Sequence, residues 1–145
     1  MEQRVLGIDV SKETLDVALE EHGSIRCDQF ANHAQGHQQL ATWLKRGGTS
    51  PVQVCLEATG QYGDGIAEYL YRQGYRVSVV NPARIKHYAN SKLRRNKTDT
   101  ADAQLIAEYG RRENPGPWSP PPASFKDLQA LVRHLEDLQV TRQQE

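Results

Sequence analysis

Asp9, Glu57, Asp99 and Asp102 are the residues of this 145-residue chain whose type and placement point to chemistry. Asp9 comes near the end of the apolar run from Arg4 to Val10, and Glu57 ends the run Val52-Gln53-Val54-Cys55-Leu56. Sites in mixed α/β sheets gather beyond the carboxyl ends of such strands. Asp99 and Asp102 are three apart, hence neighbours on one face of a helix expected over about Thr98 to Arg112. Leu105, Ile106 and Tyr109 follow Asp102 at helical spacing, so Asp102 heads the stripe that faces the sheet. Four carboxylates packed together repel, and hard divalent cations that prefer oxygen, Mg²⁺ or Mn²⁺, relieve the repulsion. Two such ions about 3.5–4 Å apart activate a nucleophile and stabilise the leaving oxygen in an in-line phosphoryl displacement.

Taken singly, each carboxylate has an ordinary structural reading. Asp99 in a first helical turn complements the macrodipole with Thr98 as cap, and Asp9 serves an Asx-turn at a hairpin. Asp102 on a buried stripe and Glu57 at a buried strand end fit such readings less well, because buried carboxylates need a partner or a metal. The argument rests on all four together.

Charge distribution supports a polyanionic ligand where bulk charge does not. Eighteen basic residues balance eighteen acidic ones. Arg84, Lys86, Lys92, Arg94, Arg95 and Lys97 nevertheless stand between Pro82 and Thr98 without an acidic residue, leaving the rest of the chain net negative by six. That asymmetry is expected of a loop that holds phosphates, although many charge runs are merely solvated faces. Tyr88 within this stretch is offered for base stacking, but tyrosine on a helix is more often core, and core is the reading taken.

The elements that would position these groups come from the pattern. Arg4 to Val10, the alternating run Leu15, Val17, Leu19, and a segment near Ser24 to Ala31 after a turn at His22-Gly23 read as an antiparallel meander. A helix from Gly36 to Arg46 carries Leu40, Trp43 and Leu44 on one face and stops at Gly47-Gly48. Val52 to Glu57, a helix with Ile66, Tyr69 and Leu70, and Arg76 to Val80 form a parallel crossover unit closed by Asn81-Pro82. The expected fold is α/β: a mixed sheet of three antiparallel and two parallel strands, with flanking helices.

Residues 1–112 are read as one domain, 113–124 as a stiff Pro-rich linker with five of the seven prolines, and 125–145 as the start of a helical segment. Leu128, Leu131, Leu135 and Leu138 make an apolar stripe there, over too few heptads to prove a coiled coil, and the helix is expected to be cut short at Glu145. The N-terminus lacks the features of a signal peptide, and no apolar run is long enough to span a bilayer. Cys27 and Cys55 read as small core residues of a reduced protein.

The ordered segments Gly7-Ile8-Asp9-Val10-Ser11-Lys12, Glu57-Ala58-Thr59-Gly60, Val79-Val80-Asn81-Pro82 and Asn96-Lys97-Thr98-Asp99-Thr100-Ala101-Asp102-Ala103 resemble the N-terminal domain of DEDD transposases of the insertion sequence 110 type, a family that includes pilin-gene inversion recombinases. The likeness spans about residues 4 to 112. It implies a ribonuclease H-like, RuvC-like fold, with Asp9, Glu57, Asp99 and Asp102 as catalytic, metal-binding carboxylates for DNA cleavage and strand transfer. It also implies a second domain bearing a nucleophilic serine, before which this chain stops. A non-coding guide RNA, a homo-oligomer in the full-length form and a place in the bacterial cytosol, away from membranes, are further implications.

Three other readings share some of these features. A RuvC-like structure-selective endonuclease would use the same residues with water as nucleophile. An ATP-dependent sugar kinase-like protein would begin with a similar strand, but Val10-Ser11-Lys12-Glu13 lacks the glycine of a phosphate-cradling hairpin. A non-catalytic module would use the leucine stripe for assembly.

Overall fold

The computed structural model describes residues 4–48, 51–58, 60–91, 99–122, 131–132 and 134–136, with residues 99–102 by their backbone. A strand that is apolar on both faces must be covered on both, and β1 (Arg4–Val10) is such a strand. Val5, Leu6 and Ile8 are almost wholly buried. β2 (Thr14–Glu21) and β3 (Ser24–Ala31) come next and run antiparallel, joined by a two-residue turn at His22 and Gly23, both with positive φ as a right-twisted hairpin favours. α1 (Ala34–Arg46) then leads to β4 (Val52–Glu57), and α2 (Asp64–Arg72) to β5 (Arg76–Val80). The sheet is mixed, with an antiparallel meander and a parallel crossover unit as the sequence pattern leads one to expect, and its order β3-β2-β1-β4-β5 adds that β1 pairs in parallel with β4.

Two layers of helix cover the sheet. Leu40, Leu44, Ile66 and Leu70 from α1 and α2 pack on Leu6, Ile8, Leu19, Val54 and Leu56. On the other face lie α3 (Pro82–Ser91) and α4 (Asp99–Glu113), where Ile85, Tyr88, Leu105, Ile106 and Tyr109 meet Cys55 and Val80.

Three expectations need correction. Much of the basic stretch read as a loop is helical: Pro82–Ser91 is α3. Asn81-Pro82, taken as a terminator, starts the helix. The Asn81 side-chain oxygen accepts from the Ala83 amide (2.8 Å), and proline suits a first helical position. Cys27 is exposed, because β3 is an edge strand with a largely solvated surface, and its sulfur accepts from the Gln104 side chain. Residues 114–122 form neither helix nor strand but lie against β5. There the Trp118 amide donates to the Val77 carbonyl (2.7 Å), the Ser78 hydroxyl donates to the Pro115 carbonyl (3.1 Å), and the Trp118 ring meets Tyr71 edge-on. In the leucine stripe, Leu131 and Leu135 are helical and about half exposed (54% and 52%); Leu128 and Leu138 lie outside the described residues.

Candidate active site

In the parallel pairing of β1 with β4, Gly7 lies beside Cys55 and Ile8 beside Leu56. One step further along this register Asp9 comes beside Glu57, and the pleat puts both on the face shared by Gly7 and Cys55. Both are half-buried. That face is covered by α4. A Cβ at Gly7 would overlap the Ala103 carbonyl and the Ala107 amide, so the helix rests directly on the β1 backbone there. Gly110, two turns on from Ala103, sits against Cys55 and Val5. Because Ala103 lies over Gly7 and Gly110 over Val5, α4 runs antiparallel to β1. Its first turn therefore stands at the carboxyl ends of β1 and β4.

Asp99 and Asp102 belong to that first turn. They precede buried Ala103 and Ile106 by four residues each, which puts their backbone positions on the sheet-facing side of the helix. The fold thus brings the four predicted positions to one end of one face. The side chains of Asp99 and Asp102 lie outside the described residues, and among the described residues no cluster of three potential metal ligands forms. An all-carboxylate set suits a hard, oxygen-preferring cation better than a nitrogen- or sulfur-preferring one. Cys55, two residues before Glu57, is buried. Burial, and then the charge of Glu57, pushes its thiol pKa up to about 12.

A further acidic residue escaped the sequence reading. Asp16 on β2 is the direct cross-strand partner of Asp9, and its carboxylate accepts from the Gln29 side chain (2.9 Å). Like charges directly opposite on a sheet destabilise it, so this pairing adds to the negative field beside Asp9. The signal was present: Asp9 and Asp16 are equidistant from the centre of the turn at Ser11–Thr14, which the Ser11 hydroxyl closes at Thr14 Oγ1 (2.8 Å).

Of the predicted basic residues, Arg84 and Lys86 are exposed on α3. Lys92, Arg94, Arg95 and Lys97 lie outside the described residues. Arg84, with His87, Ser91 and Tyr109, lines an open cleft of about 480 Å³ between α3 and α4. Tyr88 is core: it is buried, its hydroxyl donates to Glu108 (2.9 Å), and its ring meets Tyr109 edge-on at 5.5 Å. Burial and that hydrogen bond raise its pKa to about 12.

This mixed five-stranded sheet with helices on both faces has the ribonuclease H-like fold in its RuvC-like form. The structure aligns with RuvC of T. thermophilus, solved in complex with a Holliday junction substrate, at a TM-score of 0.57 and 16% identity, over 81% of this chain and 100% of RuvC. The model of the insertion sequence 110-type DEDD family, described as transposase, matches residues 6–145, and the chain belongs to that family. It is 36% identical over 138 residues to the pilin gene-inverting proteins of Moraxella bovis and of Moraxella lacunata. Each match covers 94% of this chain and 43% of the relative, so the chain spans less than half of their length. Among the described residues, no helix is long and apolar enough to cross a membrane.

Proposed function

We propose that this chain is the N-terminal part of a transposase or site-specific recombinase that cleaves and transfers DNA strands in transposition of an insertion sequence. The observation that carries the reading is the juxtaposition of Asp9 and Glu57 on neighbouring parallel strands, with the acidic first turn of α4 over the same strand ends. Asp9, Glu57, Asp99 and Asp102 would hold Mg²⁺ or Mn²⁺, two ions in the complete site. The chemistry such cations would supply there is activation of the attacking oxygen and neutralisation of charge on the leaving one. The protein's own part is to fix four carboxylates on rigid elements: two on central strands, two on a helix seated on Gly7. Arg84 and Lys86 on α3, with Lys92, Arg94, Arg95 and Lys97, would hold the phosphate backbone, supplying affinity without reading sequence. A non-coding guide RNA as second nucleic-acid partner and a homo-oligomer of the full-length protein belong to the same reading, and both rest on family membership.

Mg²⁺ is expected to raise the melting temperature of this chain, and Asp102→Ala to abolish the response. A cation present at 100 times its dissociation constant stabilises by about 2.7 kcal/mol, a shift of several degrees in a domain of this size. An undiminished shift in the variant would show the site assignment to be wrong. The fold likeness to RuvC supports a second reading, hydrolysis of branched DNA by the same residues. Metal-dependent turnover of a four-way junction by this chain alone would favour it over strand transfer.

A further inference from the structure

We propose that Asn32 is a positioning residue for this site, tying the loop after Asp9 to the loop after Glu57 through one side-chain amide. The inference rests on the carboxylate site proposed above. Asn32 lies between β3 and α1, away from the acidic residues in sequence. Its backbone amide donates to the Glu13 carbonyl (2.9 Å). Its Nδ2 donates to two carbonyls, Ser11 and Tyr62, each at 2.9 Å. Its Oδ1 lies 2.9 Å from His37 Nε2. Ser11 comes two residues after Asp9 and Tyr62 five after Glu57, so this amide bridges the two strand exits.

The chemistry fixes every atom in the bridge. Backbone carbonyls only accept, so the group that meets both must be the amide nitrogen. Oδ1 then faces His37, whose Nε2 must carry a proton to donate. Asn32 thereby uses both of its hydrogens and an acceptor at once. The anchor behind it is firm. His37 is buried, with the Tyr69 ring 5.9 Å away, and the start of α1 sits so tightly on β3 that a Cβ at Gly36 would overlap the Ala31 carbonyl. On the near side, the Ser11 hydroxyl also accepts from the Thr14 amide (3.2 Å), making the β1–β2 turn a stiff unit.

Carboxylates that share a site repel, and the backbone that bears them must resist being pushed apart. Functional constellations tolerate displacements of only about 0.5 Å. Asn32 supplies the cross-tie between the two loops, and no acidic side chain takes part in it.

The test is Asn32→Asp, which is nearly isosteric but sets an oxygen against two carbonyl oxygens. Mg²⁺ affinity is measured calorimetrically at a temperature where circular dichroism in EDTA shows each variant folded. The expected result is a loss of affinity of roughly tenfold or more, the range seen when outer groups that orient metal ligands are removed. His37→Gln keeps a donor toward Asn32 and should keep wild-type affinity, whereas His37→Leu should lose it as Asn32→Asp does. Unchanged affinity in Asn32→Asp overturns the positioning role while leaving the carboxylate site standing. Absence of any cation binding by the wild type overturns the carboxylate site itself. Should Asn32→Asp fail to fold, equal affinities of His37→Gln and His37→Leu would overturn the proposal.

Discussion

Asp16 shows how one residue can work against the fold that carries it. It faces Asp9 directly across β1 and β2, and opposed acidic side chains on a sheet cost up to about 1 kcal/mol relative to a neutral pair. Asp16→Asn keeps an oxygen for the Gln29 amide, so in EDTA it should stabilise the protein by up to that amount in urea unfolding, and by less with Mg²⁺ present. His37 makes an opposite case, a buried base kept neutral. Burial first, then the neighbouring charge of His33, lowers its pKa below the usual 6.5. As pH falls, the unfolded chain takes up this proton first. The stability that the neutral ring contributes is therefore complete above about pH 6.5 and is lost as pH drops through the lowered native value. The urea midpoint of the wild type should fall further than that of His37→Gln as pH drops from about 6.5 to the lowered native value, and the gap between the two should be constant above about pH 6.5. Neither residue stands out in the sequence by its own type and position as part of a site. Asp9 and Glu57 do, because each comes at or near the end of an apolar run. Asp16 needed the hairpin register, and Asn32 and His37 needed the three-dimensional meeting of two loops.

At the scale of elements, Gly7 sets how deeply α4 sits. Gly7→Ala introduces a methyl group that meets helix backbone, which has no side-chain rotamer to yield. Overpacking of this kind costs about 1–3 kcal/mol, read as a lower urea midpoint, and should weaken Mg²⁺ binding through the displaced first turn. The five strands and most helices were readable from periodicity, since a strand's buried face and a helix's stripe repeat along the chain; that β1 pairs with β4 was not. α3 was not, because Asn81-Pro82 ends a strand and begins a helix with the same two residues, and the basic side chains of α3 mask the apolar face of Ile85, Tyr88 and Ala89. Cys27 misled for a related reason: an apolar residue in a strand says nothing of whether that strand is central or at the edge.

For the molecule as a whole, the outer edge of β5 is one of the two edges where the sheet could continue, and residues 114–122 occupy part of it. Trp118 both takes the role of a neighbouring strand, through its bond to Val77, and fills the corner beside Tyr71. Its ring is half-buried, so Trp118→Ala should cost about 2 kcal/mol and lower the melting temperature by several degrees. Composition alone described this stretch as stiff; it could not say what the stiffness was laid against. The same strap has a mechanical consequence. Tension applied to the chain beyond Pro122 enters the domain at Val77 and Tyr71, on the strand next to the one bearing Glu57 and the helix before it. Trp118 then acts as a cleat: Val77 pairs with Val54, toward the far end of β4 from Glu57, so load passes into the sheet away from the strand exits where the carboxylates gather.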